Sequence, residues 1–219
     1  MIQSELIKKF PEFFHAFLSK GESLSSLNIK GSESNFIHLR QIHSGNVVLE
    51  NSKTNPLNGT DGIILKGKGW SGVKTADCIP IFLYDPKLKI AGAVHAGWKG
   101  LSKKIVTSTI QMMKKIGSHP QNIYAAIGPH IRICCYDVPQ ERVSIFCHLG
   151  FLKNEISEER GGKWFLNLES IALKQMKDER LLRSNIDCLS ICTYTNKNLW
   201  SYRREGLQPN ILNNIIGFI

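Results

Sequence analysis

The stretch Cys78-Ile79-Pro80-Ile81-Phe82-Leu83-Tyr84-Asp85-Pro86-Lys87-Leu88-Lys89-Ile90-Ala91-Gly92-Ala93-Val94-His95-Ala96-Gly97-Trp98 decides how the chain folds. Its two apolar runs, residues 79–84 and 90–94, are β-branched and aromatic, and residues 85–89 between them carry turn chemistry. Two antiparallel strands follow. A hairpin brings the residue before its first strand beside the residue after its second, so Cys78 and His95, 95 − 78 = 17 residues apart, are expected to be neighbours. A thiol beside an imidazole suits a metal site or a nucleophile with its base. The bland reading stands beside these: a buried Cys can be a small hydrophobe, and a His at a strand end simply hydrogen-bonded.

Working outward, Leu6, Ile7, Phe10, Phe13, Phe14, Phe17 and Leu18 have helical spacing interrupted by Pro11, which predicts a broken or late-starting helix over residues 5–19. Residues 36–50 read as two short strands around 41–45, and 62–65 and 72–74 add strand fragments between glycines. After the hairpin, residues 101–116 predict a helix ended by Gly117, and 123–127 a buried strand. Helices are expected over 138–148 and 169–183, and a strand over 186–193. The mixture predicts an α/β, α+β layered fold with a mixed sheet, hairpins and flanking helices, in a single domain spanning residues 1–219.

The chain's 219 residues suffice for one good core, and 42% hydrophobic with 21% charged residues is ordinary for a folded domain. No apolar run approaches the ~20 residues that span a bilayer, and the first residues lack the features of a signal peptide. A cytoplasmic protein without membrane contact is expected, with its six cysteines reduced. The excess of 28 basic over 18 acidic residues gives a net charge of +10. That could serve nucleic acid or small anions such as phosphate. The basic residues are scattered pairs, Lys8-Lys9, Lys103-Lys104, Lys114-Lys115 and Arg203-Arg204, with no arginine-rich arm or zinc-finger spacing, so nucleic acid is not expected as a partner.

A third candidate ligand, His43, lies in Arg40-Gln41-Ile42-His43. Two histidines and a thiolate are the number at which a zinc site keeps its fourth position open. The flanking words carry more. In order, Arg40-Gln41-Ile42-His43, Thr75-Ala76-Asp77-Cys78-Ile79-Pro80-Ile81, Ala93-Val94-His95-Ala96-Gly97-Trp98-Lys99-Gly100, Ile127-Gly128-Pro129, Cys135-Tyr136-Asp137-Val138, Gly162-Lys163-Trp164 and Ser201-Tyr202-Arg203-Arg204-Glu205 resemble the signatures of the YfiH-type laccase-domain family of purine nucleoside phosphorylases. The resemblance implies a single-domain α/β fold in which His43, Cys78 and His95 bind one zinc ion. It also implies phosphorolysis of adenosine, inosine, guanosine and methylthioadenosine, with adenosine deamination; a monomer or weak homodimer is expected. An earlier family description, copper-dependent polyphenol oxidase, is not favoured by these residues: multicopper centres need more histidines, although such a set would take up copper in vitro.

Deamination at C6 calls for an activated water and an acid for the leaving ammonia, and Asp77, beside Cys78, is the candidate proton carrier. Phosphorolysis calls for cations around a phosphate dianion. Arg40, Lys99, Arg203 and Arg204 are the candidates for that role, Arg40 as a catalytic group, while Trp98 and Tyr202 could stack on a base. The sequence departs from the family's TxRxGGxSxG segment, reading Leu18-Ser19-Lys20-Gly21-Glu22-Ser23, so that Lys20 stands for an arginine and is expected to hold phosphate with fewer paired contacts, and the link from Ser26-Leu27-Asn28 to Arg40 is short. Asn167 replaces an Asp after the GKW segment, and Gln208-Pro209-Asn210 replaces TGR. Two rivals remain: a metal-free cysteine hydrolase or deamidase using Cys78 and His95, and a basic nucleic-acid or partner-binding module.

Overall fold

The hairpin forms as expected, with Ile79–Asp85 antiparallel to Ile90–Ala96 and Ile79 opposite Ala96. Its turn is tied by Asp85, whose carboxylate accepts the Lys87 amide at 3.0 Å, and Lys89 adopts a left-handed φ of 52°. The computed structural model describes residues 1–27, 29, 33–50, 57–206 and 211–219. In it the hairpin is the centre of a six-stranded mixed sheet, ordered Ile186–Cys188, Tyr124–Ile127, Ile79–Asp85, Ile90–Ala96, Gly62–Lys66, Val47–Leu49. The inner pairings are antiparallel and the two outermost parallel.

Every residue of the two hairpin strands is buried, because the sheet is covered on both faces and side chains alternate between them. Ile79, Ile81 and Leu83 pack with Ile105, Ile110, Met113, Ile171 and Met176 from the helices Ile105–Lys115 and Leu168–Asp178. Phe82 and Tyr84 face a second, four-stranded sheet ordered Phe13–Phe17, Leu212–Phe218, Trp70–Thr75, Phe36–Ile37. Phe17 stacks on Phe82 at 4.4 Å and Phe13 on Tyr84 at 4.3 Å. The result is a helix, sheet, sheet layering.

Several local expectations are corrected. Residues 5–19 hold one helical turn, Glu5–Lys8, and then the strand Phe13–Phe17. Pro11 stops the helix, and the aromatic residues beyond it suit a pleated surface paired with Leu212–Phe218. The helix expected over 101–116 is two, Trp98–Ser102 and Ile105–Lys115, parted at Lys104 with φ 57°. Val138 belongs to the short strand Asp137–Val138, since Pro139 biases its predecessor to extended backbone, and the helix starts at Gln140. The next long helix ends at Asp178, where Arg180 turns left-handed at φ 66°. The last expected strand covers only Ile186–Cys188 before Ser190, φ 53°, turns the chain. A hairpin not anticipated, Ser157–Arg160 with Lys163–Leu166, turns on Gly161-Gly162, both at positive φ. Among the described residues no helix is long and apolar enough to cross a membrane.

Candidate functional site

The hairpin register pairs Ile79 with Ala96 and Pro80 with His95, so Cys78 enters just ahead of the ladder, beside Gly97 and close to His95. His95 lies within its strand, not beyond it. A Cβ on Gly97 would lie 2.6 Å from Cys78 Sγ and 3.4 Å from His43 Cδ2, so the missing side chain is what lets the donors converge. His43, left-handed at φ 59°, comes from the loop before Val47–Leu49. Its ring meets that of His95 edge to face at 4.7 Å, and one donor atom from each of His43, Cys78 and His95 lies within 4.8 Å of the others.

The fully buried Asp61, just before the strand Gly62–Lys66, organises both histidines. Its carboxylate accepts the amides of Ile42, His43 and Ser44 at 3.2, 2.9 and 2.6 Å, and the Ser44 hydroxyl at 2.7 Å. Asp61 Oδ1 also lies 2.8 Å from His95 Nδ1. That leaves His95 Nε2 available to a metal. Burial opposes ionisation of Asp61, but the hydrogen bonds of His95 and Ser44 outweigh it and hold the carboxyl below its usual range. Burial likewise opposes a Cys78 thiolate, yet the charge on His95 and hydrogen bonds from His43 and His95 bring the thiol down to about 6. His95, disfavoured as a cation by burial, is raised to about 9 by the Cys78 thiolate and Asp61. One soft and two borderline donors, with an imidazole held from behind by a carboxylate, fit a metal ion.

These three residues open onto a cleft of about 700 Å³. Of the residues anticipated from sequence, Asp77, Trp98, Lys99, Tyr202 and Arg203 line it. Asp77, φ 85°, accepts the Thr193 hydroxyl at 2.6 Å on one oxygen and the Arg203 amide at 2.7 Å on the other. It thereby anchors the helical turn Tyr202–Glu205. Arg203 binds the carboxylate of Asp137, and its guanidinium lies 5.4 Å from the Tyr136 ring.

Three anticipated cations are not brought to the cleft lining. Arg40 is exposed in the strand Leu39–Arg40. Arg204 turns inward to the carbonyls of Thr193 and Tyr194, both at 2.6 Å, and to Leu199. Lys20 is engaged by Glu205 at 2.7 Å and lies 4.1 Å over the Trp200 ring, which corrects the expectation that it stands in for a phosphate-binding arginine. Asn167 caps the helix Leu168–Asp178 by accepting the Ser170 amide at 3.1 Å. Asn28 and Gln208-Pro209-Asn210 lie outside the described residues.

Sequence reasoning missed Lys74, Arg142 and Gln41, which also line the cleft, as well as Asp61 behind it. Arg142 lies 4.5 Å over the Trp98 ring and donates to the Tyr136 hydroxyl at 3.3 Å. Gln41 is fixed by paired bonds with the Lys74 backbone, 2.9 and 2.7 Å.

Comparison with known proteins matches most of this body. A protein named purine nucleoside phosphorylase from Clostridium acetobutylicum is 41% identical over 173 residues, 77% of this chain and 71% of that one. Another of the same name from Aquifex aeolicus is 32% identical over 177 residues, 80% of each chain. The solved structure of Bacillus licheniformis hypothetical protein YfiH superposes with a TM-score of 0.88 at 21% identity, covering 97% of this chain and 95% of that one, a likeness of fold. With the family model described as multi-copper polyphenol oxidoreductase laccase matching residues 22–215, the chain belongs to that family.

Proposed function

We propose that this chain is a zinc-dependent purine nucleoside phosphorylase, taking adenosine, inosine, guanosine and methylthioadenosine with phosphate, and that it also deaminates adenosine. The observation that carries this reading is one cleft in which His43, Cys78 and His95 converge while Lys74, Lys99, Arg142 and Arg203 bring positive charge. The name borne by the relatives supports the substrate class. Zinc bound by the three donors supplies Lewis acidity at one side of the cleft.

The chain's own residues do the remaining work. Arg142 and Arg203 offer forks and Lys74 and Lys99 point charges to a phosphate dianion. Trp98, Tyr136 and Tyr202 present ring faces and edges for a purine. Asp61 fixes the His95 tautomer. Asp77, with both oxygens engaged, positions Arg203 rather than carrying a proton. Incubation with adenosine, with and without phosphate, followed by chromatography tests the proposal. Adenine and ribose-1-phosphate should form only with phosphate, and inosine in both cases; absence of both products overturns it.

A second reading is favoured by one observation, the file Cys78, His95, Asp61, which matches an activated thiol with its base and orienting carboxylate. Metal analysis of protein purified without chelator separates the two. About one zinc per chain supports the metalloenzyme. Metal-free protein whose Cys78 is alkylated with a midpoint near pH 6, as thiolate forms above its lowered pKa, supports a cysteine hydrolase.

A further inference from the structure

Three thiols converge outside the cleft. Cys134 Sγ lies 3.1 Å from Cys135 Sγ and 3.8 Å from Cys192 Sγ, and all three sulfurs lie within 4.8 Å of one another. Cys134 is exposed, Cys135 half-buried and Cys192 buried. Two segments bring them together. Residues 132–135 form a turn closed by the Cys135 amide on the Arg132 carbonyl at 2.9 Å. The segment carrying Cys192 is laid beside it by His130, whose amide donates to Ile191 at 3.1 Å and whose carbonyl accepts the Thr193 amide at 3.0 Å.

Thiolates at ~2.3 Å around one ion place their sulfurs about 3.8 to 4.0 Å apart, for tetrahedral or trigonal geometry. The Cys134–Cys192 spacing already meets that value, and the Cys134–Cys135 spacing falls short of it, so ligation needs those two neighbouring sulfurs to turn apart by less than about 1 Å. No imidazole or carboxylate belongs to the cluster among the described residues. An all-sulfur donor set selects a soft ion over a hard one.

We propose that Cys134, Cys135 and Cys192 form a second metal site, all-thiolate and separate from the His43, Cys78, His95 centre, for one soft d10 cation, monovalent copper or zinc. Each thiol that ligates releases its proton, so uptake strengthens as pH rises. The site joins two segments that shape the cleft wall. Cys192 precedes Thr193, which donates to Asp77, and Cys135 precedes Tyr136 and the Asp137 that holds Arg203.

The test is metal stoichiometry on the full chain, reduced with a phosphine under argon and titrated in parallel with Cu(I) and Zn2+. Co2+ replaces zinc where a sulfur-to-metal charge-transfer band is to be read. The wild type should take up a second equivalent of at least one ion, and that ion names the occupant. Cys134→Ser, at an exposed position, should lose the second equivalent or bind it at least tenfold more weakly, with an unchanged circular dichroism spectrum. His43→Ala/Cys78→Ser should keep one equivalent and its charge-transfer band. A wild type that binds a single equivalent of either ion, abolished in His43→Ala/Cys78→Ser and untouched in Cys134→Ser, overturns the proposal while leaving the cleft's metal reading intact.

Discussion

A single carboxylate, that of Asp61, gathers three consecutive amides of the His43 loop and the Nδ1 of His95. Asp61→Asn keeps its shape but removes the charge and half of its accepting capacity, so metal affinity should fall by about 10–100-fold. Competition with a chromophoric chelator measures it; an unchanged affinity would show that His95 needs no such support. Arg203 belongs to the same scale. If its guanidinium grips phosphate, Arg203→Ala should cut ribose-1-phosphate formation by about tenfold or more, roughly 1.4 kcal/mol of transition-state binding, and inosine formation much less. Equal loss of both products would place Arg203 in nucleoside binding or scaffolding. That His43, Cys78 and His95 come together was legible through the family's motifs around them, since their spacing alone matches no compact metal-binding pattern. Asp61 was not, since Thr60-Asp61-Gly62 reads as turn chemistry, and its one signal is a charge placed directly ahead of an apolar strand. Arg203 and Arg204 show the opposite limit: neighbours on one helical turn diverge by about 100°, and a motif containing both does not say which one faces the ligand.

Gly97 and Gly45 tie the site to its elements. Gly97→Ala would set a methyl 2.6 Å from Cys78 Sγ, so the variant should be purified with little metal while its melting temperature in chelator matches that of the chelator-treated wild type. Full metal content in it would mean that Cys78 has room to turn aside. The break between the helices Trp98–Ser102 and Ile105–Lys115 has a comparable purpose: the Lys103 carbonyl lies 2.7 Å from where a Gly45 Cβ would stand, so the loop that presents His43 packs directly on the interruption. The central hairpin could be read from sequence because its turn and both strands are contiguous. Phe13–Phe17 could not, because its partner is Leu212–Phe218 at the other end of the chain, and a local period says nothing about pairing at that separation.

Across the molecule, the layers meet on the aromatic seam between the two sheets, where Phe82 stacks on Phe17 with an interplanar angle of 8°. Phe82→Ala should cost about 3–5 kcal/mol of stability, read as a lower urea midpoint, with metal content per folded chain unchanged. A loss of metal without loss of stability would show the seam to be coupled to the site. The layered α/β architecture followed from the alternation of hairpins and helices in sequence, whereas the division of the strands into two stacked sheets rests on long-range pairings that no short window contains. One of those pairings reaches into biogenesis. The strand Trp70–Thr75, which leads directly into Asp77 and Cys78, is flanked by Leu212–Phe218, with Thr75 opposite Leu212. While the chain is being synthesised, that strand keeps an open edge until Leu212–Phe218 has emerged, and closing so long a loop is slow. The strand that leads to Cys78 is therefore completed late, and a chain cut short of Leu212 would expose a sticky strand edge in its place.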